Sequence, residues 1–93
     1  MSADPSFQHY VAQLEAVFDQ AVQSTSDDEL FASGYLRGHF DLVVAQLELA
    51  NDAQVEALMP ALEAAVTAAK HELSPADQAH IAAFMEKLAA VAV

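Results

Sequence analysis

An all-α fold, a single-domain antiparallel four-helix bundle of up-down-up-down order, follows from three features of the sequence. Apolar residues recur at spacings of three and four through most of the chain. Cap-forming residues stand where each periodic segment begins. Only 2 Gly and 3 Pro occur among 93 residues, too few for a strand-and-turn protein. Alanine supplies much of the 55% apolar content, and alanine loses least on entering a helix.

The first helix is expected over about residues 5–23. Asp4-Pro5 reads as an N-cap followed by a proline at the first helical position. Phe7, Val11, Leu14, Phe18 and Val22 then mark one face, widened by Tyr10, Val17 and Ala21. Ser24-Thr25 form the connection, with residues 1–4 as a short lead-in. Ser26-Asp27-Asp28-Glu29 is a capping box opening a second helix over about 27–50. Its three acids suit the positive end of the helix dipole.

Asn51-Asp52 is the next turn and cap. A third helix is expected over about 52–72, with Val55, Leu58, Met59, Leu62, Val66, Ala69 and Leu73 on one face. Pro60 lies inside it and should kink the helix or split it after Met59. Ser74-Pro75-Ala76-Asp77 starts the fourth helix, over about 75–91, with Ile81, Phe84, Met85, Leu88 and Val91 as its stripe. Connections this short make the helices antiparallel neighbours.

The second helix differs from the others. At 100° per residue it carries two apolar arcs. One holds Phe31, Gly34, Tyr35, Gly38, Leu42, Ala45 and Leu49. The other holds Leu36, Phe40, Val43, Leu47 and Ala50. Arg37, Asp41 and Glu48 form a narrow polar stripe, and His39 and Gln46 lie between the arcs. A helix apolar nearly all round is either central to its bundle or covered by another chain. The arc through Leu36 is therefore expected to need a cover, supplied either by displaced packing within the monomer or by a second chain.

Each residue near this helix's middle carries two readings. Gly34 and Gly38 cost about 1 kcal/mol each against alanine. Close helix packing inside the bundle is the expected return; a flat floor for a ligand or partner backbone is the alternative. Arg37 reads as part of a solvated stripe with Asp41, or as an anchor for a carboxylate or phosphate. His39 reads as an interhelical histidine bonded to Gln46 or a carbonyl, or as a ligand or pH-sensitive group. His9, His71 and His80 fall on separate faces.

The charge of −11, from 14 acids against 3 bases, disfavours nucleic acid and anionic membranes as partners. The acids are scattered among caps and faces, which disfavours nucleic-acid mimicry. No cysteine occurs, so neither a disulfide nor a thiolate site arises. Paired Glu-x-x-His, His-Glu-x-x-His, P-loop and Gly-x-Ser-x-Gly motifs are missing. No catalytic residue, metal or cofactor is implied. The N-terminus lacks the basic-then-apolar pattern of a secretory signal, and a cytoplasmic location is expected.

The segment Ser26-Asp27-Asp28-Glu29-Leu30-Phe31-Ala32-Ser33-Gly34-Tyr35-Leu36-Arg37-Gly38-His39 resembles the signature segment of the YfcL family of small gamma-proteobacterial proteins. Glu72-Leu73-Ser74-Pro75, with Asp77-Gln78 beyond it, is similar to that family's second recognisable segment. The resemblance spans most of the chain and is loose around Pro60. It implies a bacterial cytoplasmic protein and brings no activity or catalytic residues.

The function expected is that of a non-enzymatic acidic helical interaction module. Its contact surface is centred on Gly34, Tyr35, Arg37, Gly38 and His39, and a homodimer or a basic protein is its partner. The alternative is a small-ligand or catalytic site beside Arg37 and His39.

Overall fold

The computed structural model describes residues 5–23 and 26–91. The expected cap Asp4 and the Ser24-Thr25 connection lie outside the described residues. Four helices follow in order: α1 (Pro5–Ala21), α2 (Asp27–Leu49), α3 (Val55–Ala69) and α4 (Pro75–Ala89). A 3₁₀ turn, Lys70–Glu72, links the last two. Among the described residues no strand occurs, and the fold is an all-α four-helix bundle.

Local chemistry sets most helix ends. The Ser26 hydroxyl accepts from the Glu29 amide at 3.2 Å, and Ser74 accepts from Asp77 at 3.2 Å. Each satisfies one of the donors that a helix start leaves open. α2 ends where Asn51 adopts the left-handed conformation, with φ 60°. The Asp52 amide then reaches the Leu47 carbonyl at 2.8 Å and the Asn51 amide reaches Glu48 at 3.2 Å. This is a Schellman closure, with asparagine in the usual glycine position.

That closure explains why α3 starts at Val55 rather than near residue 52. The Asp52 amide is committed to α2, and its carbonyl accepts from the Gln54 amide at 2.9 Å. Gln54 thus becomes the cap, without a side-chain bond. α3 continues across Pro60, so of the two outcomes expected there, a kink or a split after Met59, the split does not occur. Pro60 and Glu56 are both exposed, and solvent can serve the carbonyl that proline leaves without a donor. At the far end Gln78 of α4 donates to the Lys70 carbonyl at 3.0 Å and to Leu73 at 3.1 Å. The Leu73 carbonyl is thereby satisfied from the fourth helix, and the Lys70 carbonyl, which already accepts from the Leu73 amide at 2.9 Å, gains a second donor. α1 stops at Ala21, and Val22, expected on its apolar face, is 63% exposed.

The core gathers Phe7, Tyr10, Leu14 and Phe18 of α1 with Leu36, Phe40 and Val43 of α2, Leu58 and Leu62 of α3, and Ile81, Phe84 and Leu88 of α4. Phe18 sits between two other aromatic rings. Its centroid is 5.2 Å from Phe40 and 5.4 Å from Phe84, within the favourable range for aromatic pairs. Two cations border this cluster. The Arg37 guanidinium lies 5.8 Å from the Phe18 ring centre, and the Lys87 ammonium lies 5.8 Å from that of Phe84.

α2 packs against all three other helices, most extensively against α3 and α4. Its 23 residues make it about 35 Å long. The longest dimension of the molecule is 39 Å, so α2 runs almost its whole length. Of the two covers expected for the arc through Leu36, packing within the monomer supplies it, and the arc left outward is the other one. The arc through Leu36, Phe40 and Val43 is core, and the arc through Phe31, Leu42 and Leu49 faces outward. The reason is that α1, α3 and α4 all lie on the Leu36 side.

Phe18→Ala should lower the free energy of unfolding by about 3–5 kcal/mol, because it opens a cavity between two rings that cannot close on each other. Denaturant unfolding followed by far-UV circular dichroism measures it, and a loss below about 1 kcal/mol would contradict the packing described.

Candidate interaction surface

The outward face of α2 is built by helical periodicity alone. Phe31, Gly34, Tyr35, Gly38, Leu42, Ala45 and Leu49 fall within about 100° of arc, nearly opposite the core arc. Phe31 is 41% exposed, Leu42 57% and Leu49 88%. Gly34, Gly38 and Ala45 between them are exposed. From Phe31 to Leu49 no charged residue interrupts the face. Isolated exposed leucines are ordinary; here the exposed apolar residues align in one row along the helix.

The glycines do not play the part expected of them inside the bundle. A Cβ placed on Gly34 or Gly38 would meet nothing within 4 Å. Neither glycine has a positive φ. No neighbouring helix needs their smallness, because all three neighbours pack on the opposite side of α2. The approach they permit is from outside.

Tyr35 and His39 border the face. The Tyr35 ring lies 6.1 Å from Phe31 and 4.8 Å from His39, centre to centre. His39 thus packs on an aromatic ring of its own helix, in place of the expected partnership with Gln46 or a carbonyl. The Tyr35 hydroxyl is buried without a hydrogen-bond partner. Burial, and then the nearby Glu72 carboxylate, push its pKa above the ordinary phenol value. Burial also raises the pKa of Tyr10, within the core.

Arg37 is separated from the other four expected site residues. Its Nη1 meets Asp19 Oδ1 of α1 at 3.1 Å, rather than pairing with Asp41 one turn along α2. An exposed pair of this kind contributes only tenths of a kcal/mol. It fixes where the arginine points, and it leaves Asp41 without an ion pair among the described residues. Lys87 likewise pairs with Glu29, and His80 faces Asp28 at 3.4 Å. Two of the three basic side chains of the chain are thereby engaged beside the aromatic cluster.

A concave surface lies elsewhere among the described residues. α3 and α4 have little direct contact. A groove of about 560 Å³ opens between them, lined by Val66, Leu73, Ile81 and Met85 with Glu63 and Lys70 at its edge. Neither Arg37 nor His39 lines it, so this groove is not the concave site expected beside those two residues. Sequence periodicity gave no sign of this groove, because it depends on how far two helices splay. The outward face did leave a sign, in the alternating 4 and 3 spacing of residues 31, 35, 38, 42, 45 and 49. Among the described residues no group of three or more His, Asp or Glu side chains could hold a metal ion.

The fold and surface define an acidic four-helix bundle with an apolar row exposed along α2. The chain belongs to the YfcL family: the family model described as YfcL protein matches residues 8–90. It is 43% identical over 83 residues to a protein of Escherichia coli (strain K12) named "Uncharacterized protein YfcL". That match covers 85% of this chain and 88% of the relative. No solved structure matches the chain.

Gly34→Ala and Gly38→Ala should each raise stability, by about 1 kcal/mol, since helix propensity improves and nothing is displaced. Thermal and urea unfolding of the two variants checks this, and a loss of stability would mean that the glycines are packed. A second expectation concerns alkaline pH. Both tyrosines titrate above 10.0 in the folded state, so the native protein retains protons that the unfolded chain releases. Their stabilisation is fully present below the unfolded value and is lost as pH rises through the folded one. Tyr35→Phe should leave stability near pH 7 unchanged or higher, because it removes an unpartnered buried hydroxyl. It should also reduce the loss between about pH 9 and about pH 12, measured as a shift in urea midpoint; an unchanged alkaline loss would contradict the assignment.

Proposed function

We propose that this protein is a non-enzymatic interaction module that holds a basic protein partner on the outward face of α2. The observation that carries the reading is the continuous exposure of Phe31, Leu42 and Leu49 around the open backbone at Gly34 and Gly38. Of the residues expected at the contact, Gly34, Gly38, Tyr35 and His39 belong to this face or its border. Arg37 belongs to the α1 contact instead.

Charge favours a basic partner over a second copy. A pair of chains each carrying a charge of −11 repel as they approach, whereas a cationic protein is steered inward. A cytoplasmic site of action goes with this reading. Among the described residues no helix is long and apolar enough to cross a membrane.

A photo-crosslinking residue at position 45, used in cells, tests the proposal. The expected result is one predominant captured protein of basic isoelectric point. Purified, it should bind wild type at least about tenfold more tightly than the Leu42→Glu/Leu49→Glu variant, which keeps its helical spectrum. Capture of only a second copy of this chain, or of nothing, would overturn it, as would equal binding to the variant.

A further inference from the structure

We propose that the partner element docking on α2 is a basic helix seated as the second strand of a short coiled coil. This rests on the reading of the outward face as the contact surface, and it adds the form and charge pattern of what sits there. Three observations on one helix lead to it.

The first is the spacing. Phe31, Tyr35, Gly38, Leu42, Ala45 and Leu49 are separated by 4, 3, 4, 3 and 4 residues. That is the a/d repeat of a coiled-coil seam, with Tyr35, Leu42 and Leu49 at a and Phe31, Gly38 and Ala45 at d. The seam is about 27 Å long. It is separate from the core seam of the same helix, which runs through Leu36, Phe40 and Val43 on the opposite side.

The second is size. Leu42 and Leu49 at a are large and exposed, Tyr35 at a is half-buried with its hydroxyl packed into its own bundle, and two of the three d positions are small. Nothing within the bundle lies within 4 Å of a Cβ at Gly38. A second helix can therefore approach closely at Gly38 and Ala45, and a large partner side chain can fill the hole there.

The third is charge. The g positions beside the seam are Asp27, Gly34, Asp41 and Glu48, and the e positions are Ala32, His39 and Gln46. One flank thus carries three acids in register, and the other carries none. Among the described residues Asp27, Asp41 and Glu48 form no ion pair. Arg37, the cation on the same helix, is held by Asp19 of α1. A partner helix would place its own e residues against this row if parallel, or its g residues if antiparallel. Lysine or arginine there completes the interface, and glutamate or aspartate opposes it.

The test uses two synthetic four-heptad peptides with leucine at a and d. One has lysine at e and g, the other glutamate. Fluorescence anisotropy measures affinity, and ¹⁵N amide shifts of the labelled full chain locate the contact. The expected result is that the lysine peptide binds and shifts Gly34, Gly38 and Leu42, while the glutamate peptide does not bind. Gly38→Leu should weaken the lysine peptide at least about tenfold, by filling the approach. Asp41→Lys/Glu48→Lys should reverse the preference between peptides. The charge-matched control Glu56→Lys/Glu63→Lys on α3 should leave it intact. Equal effects of the two double variants would show unspecific charge attraction and overturn the inference. Shifts confined to Val66, Ile81 and Met85 of the α3–α4 groove would overturn it too. If the peptides fail but Leu42→Glu/Leu49→Glu still releases the cellular partner, the coiled-coil form is wrong and the contact surface stands.

Discussion

The packing of Phe18 between Phe40 and Phe84 ties three helices of this bundle together. The three rings belong to α1, α2 and α4, and each is almost fully buried. Placing Phe40 at that junction fixes the rotation of α2 about its axis. Once Phe40 points inward, Leu36 and Val43 must follow it, being within one turn on the same side. The residues half a turn away must then face outward. The exposed row on α2 is thus a direct consequence of the aromatic junction.

The same junction organises the charges. Arg37 and Lys87 each lie over a ring of the cluster and each meet an acid, Asp19 and Glu29 respectively. Individually these exposed pairs add little to stability. Their effect is to hold two of the few cations on the α1 and α4 sides of the molecule. On the remaining flank of α2, Asp41 and Glu48 form no ion pair among the described residues. On the proposed reading, a surface that is apolar along its centre and acidic along one edge selects partners by both shape and charge.

Gly34 and Gly38 show how a structure changes the meaning of a sequence feature. Two glycines four residues apart in a helix ordinarily signal close packing between helices. Here the space beside them is open solvent. Their cost to helix stability is not returned by any contact within the chain, so the return, on the proposed reading, comes from a contact outside it. The YfcL relationship covers residues 8–90 and therefore includes the whole of this face.

Local and periodic features were legible in the sequence, because they depend on neighbours within one turn. The helical class, the serine caps at Ser26 and Ser74, and the two-sided apolar character of α2 all came from spacing and cap chemistry. So did four of the five residues placed at or beside the outward face. The tertiary structure alone decided which arc of α2 was core, that Arg37 turned to Asp19, and that a groove opened between α3 and α4. Two arcs of similar apolarity are equivalent until other helices choose one, and that choice is made by the summed burial of side chains far apart in the chain. A side chain as long as arginine reaches across helices, so its partner is set by packing geometry and not by the residue one turn away.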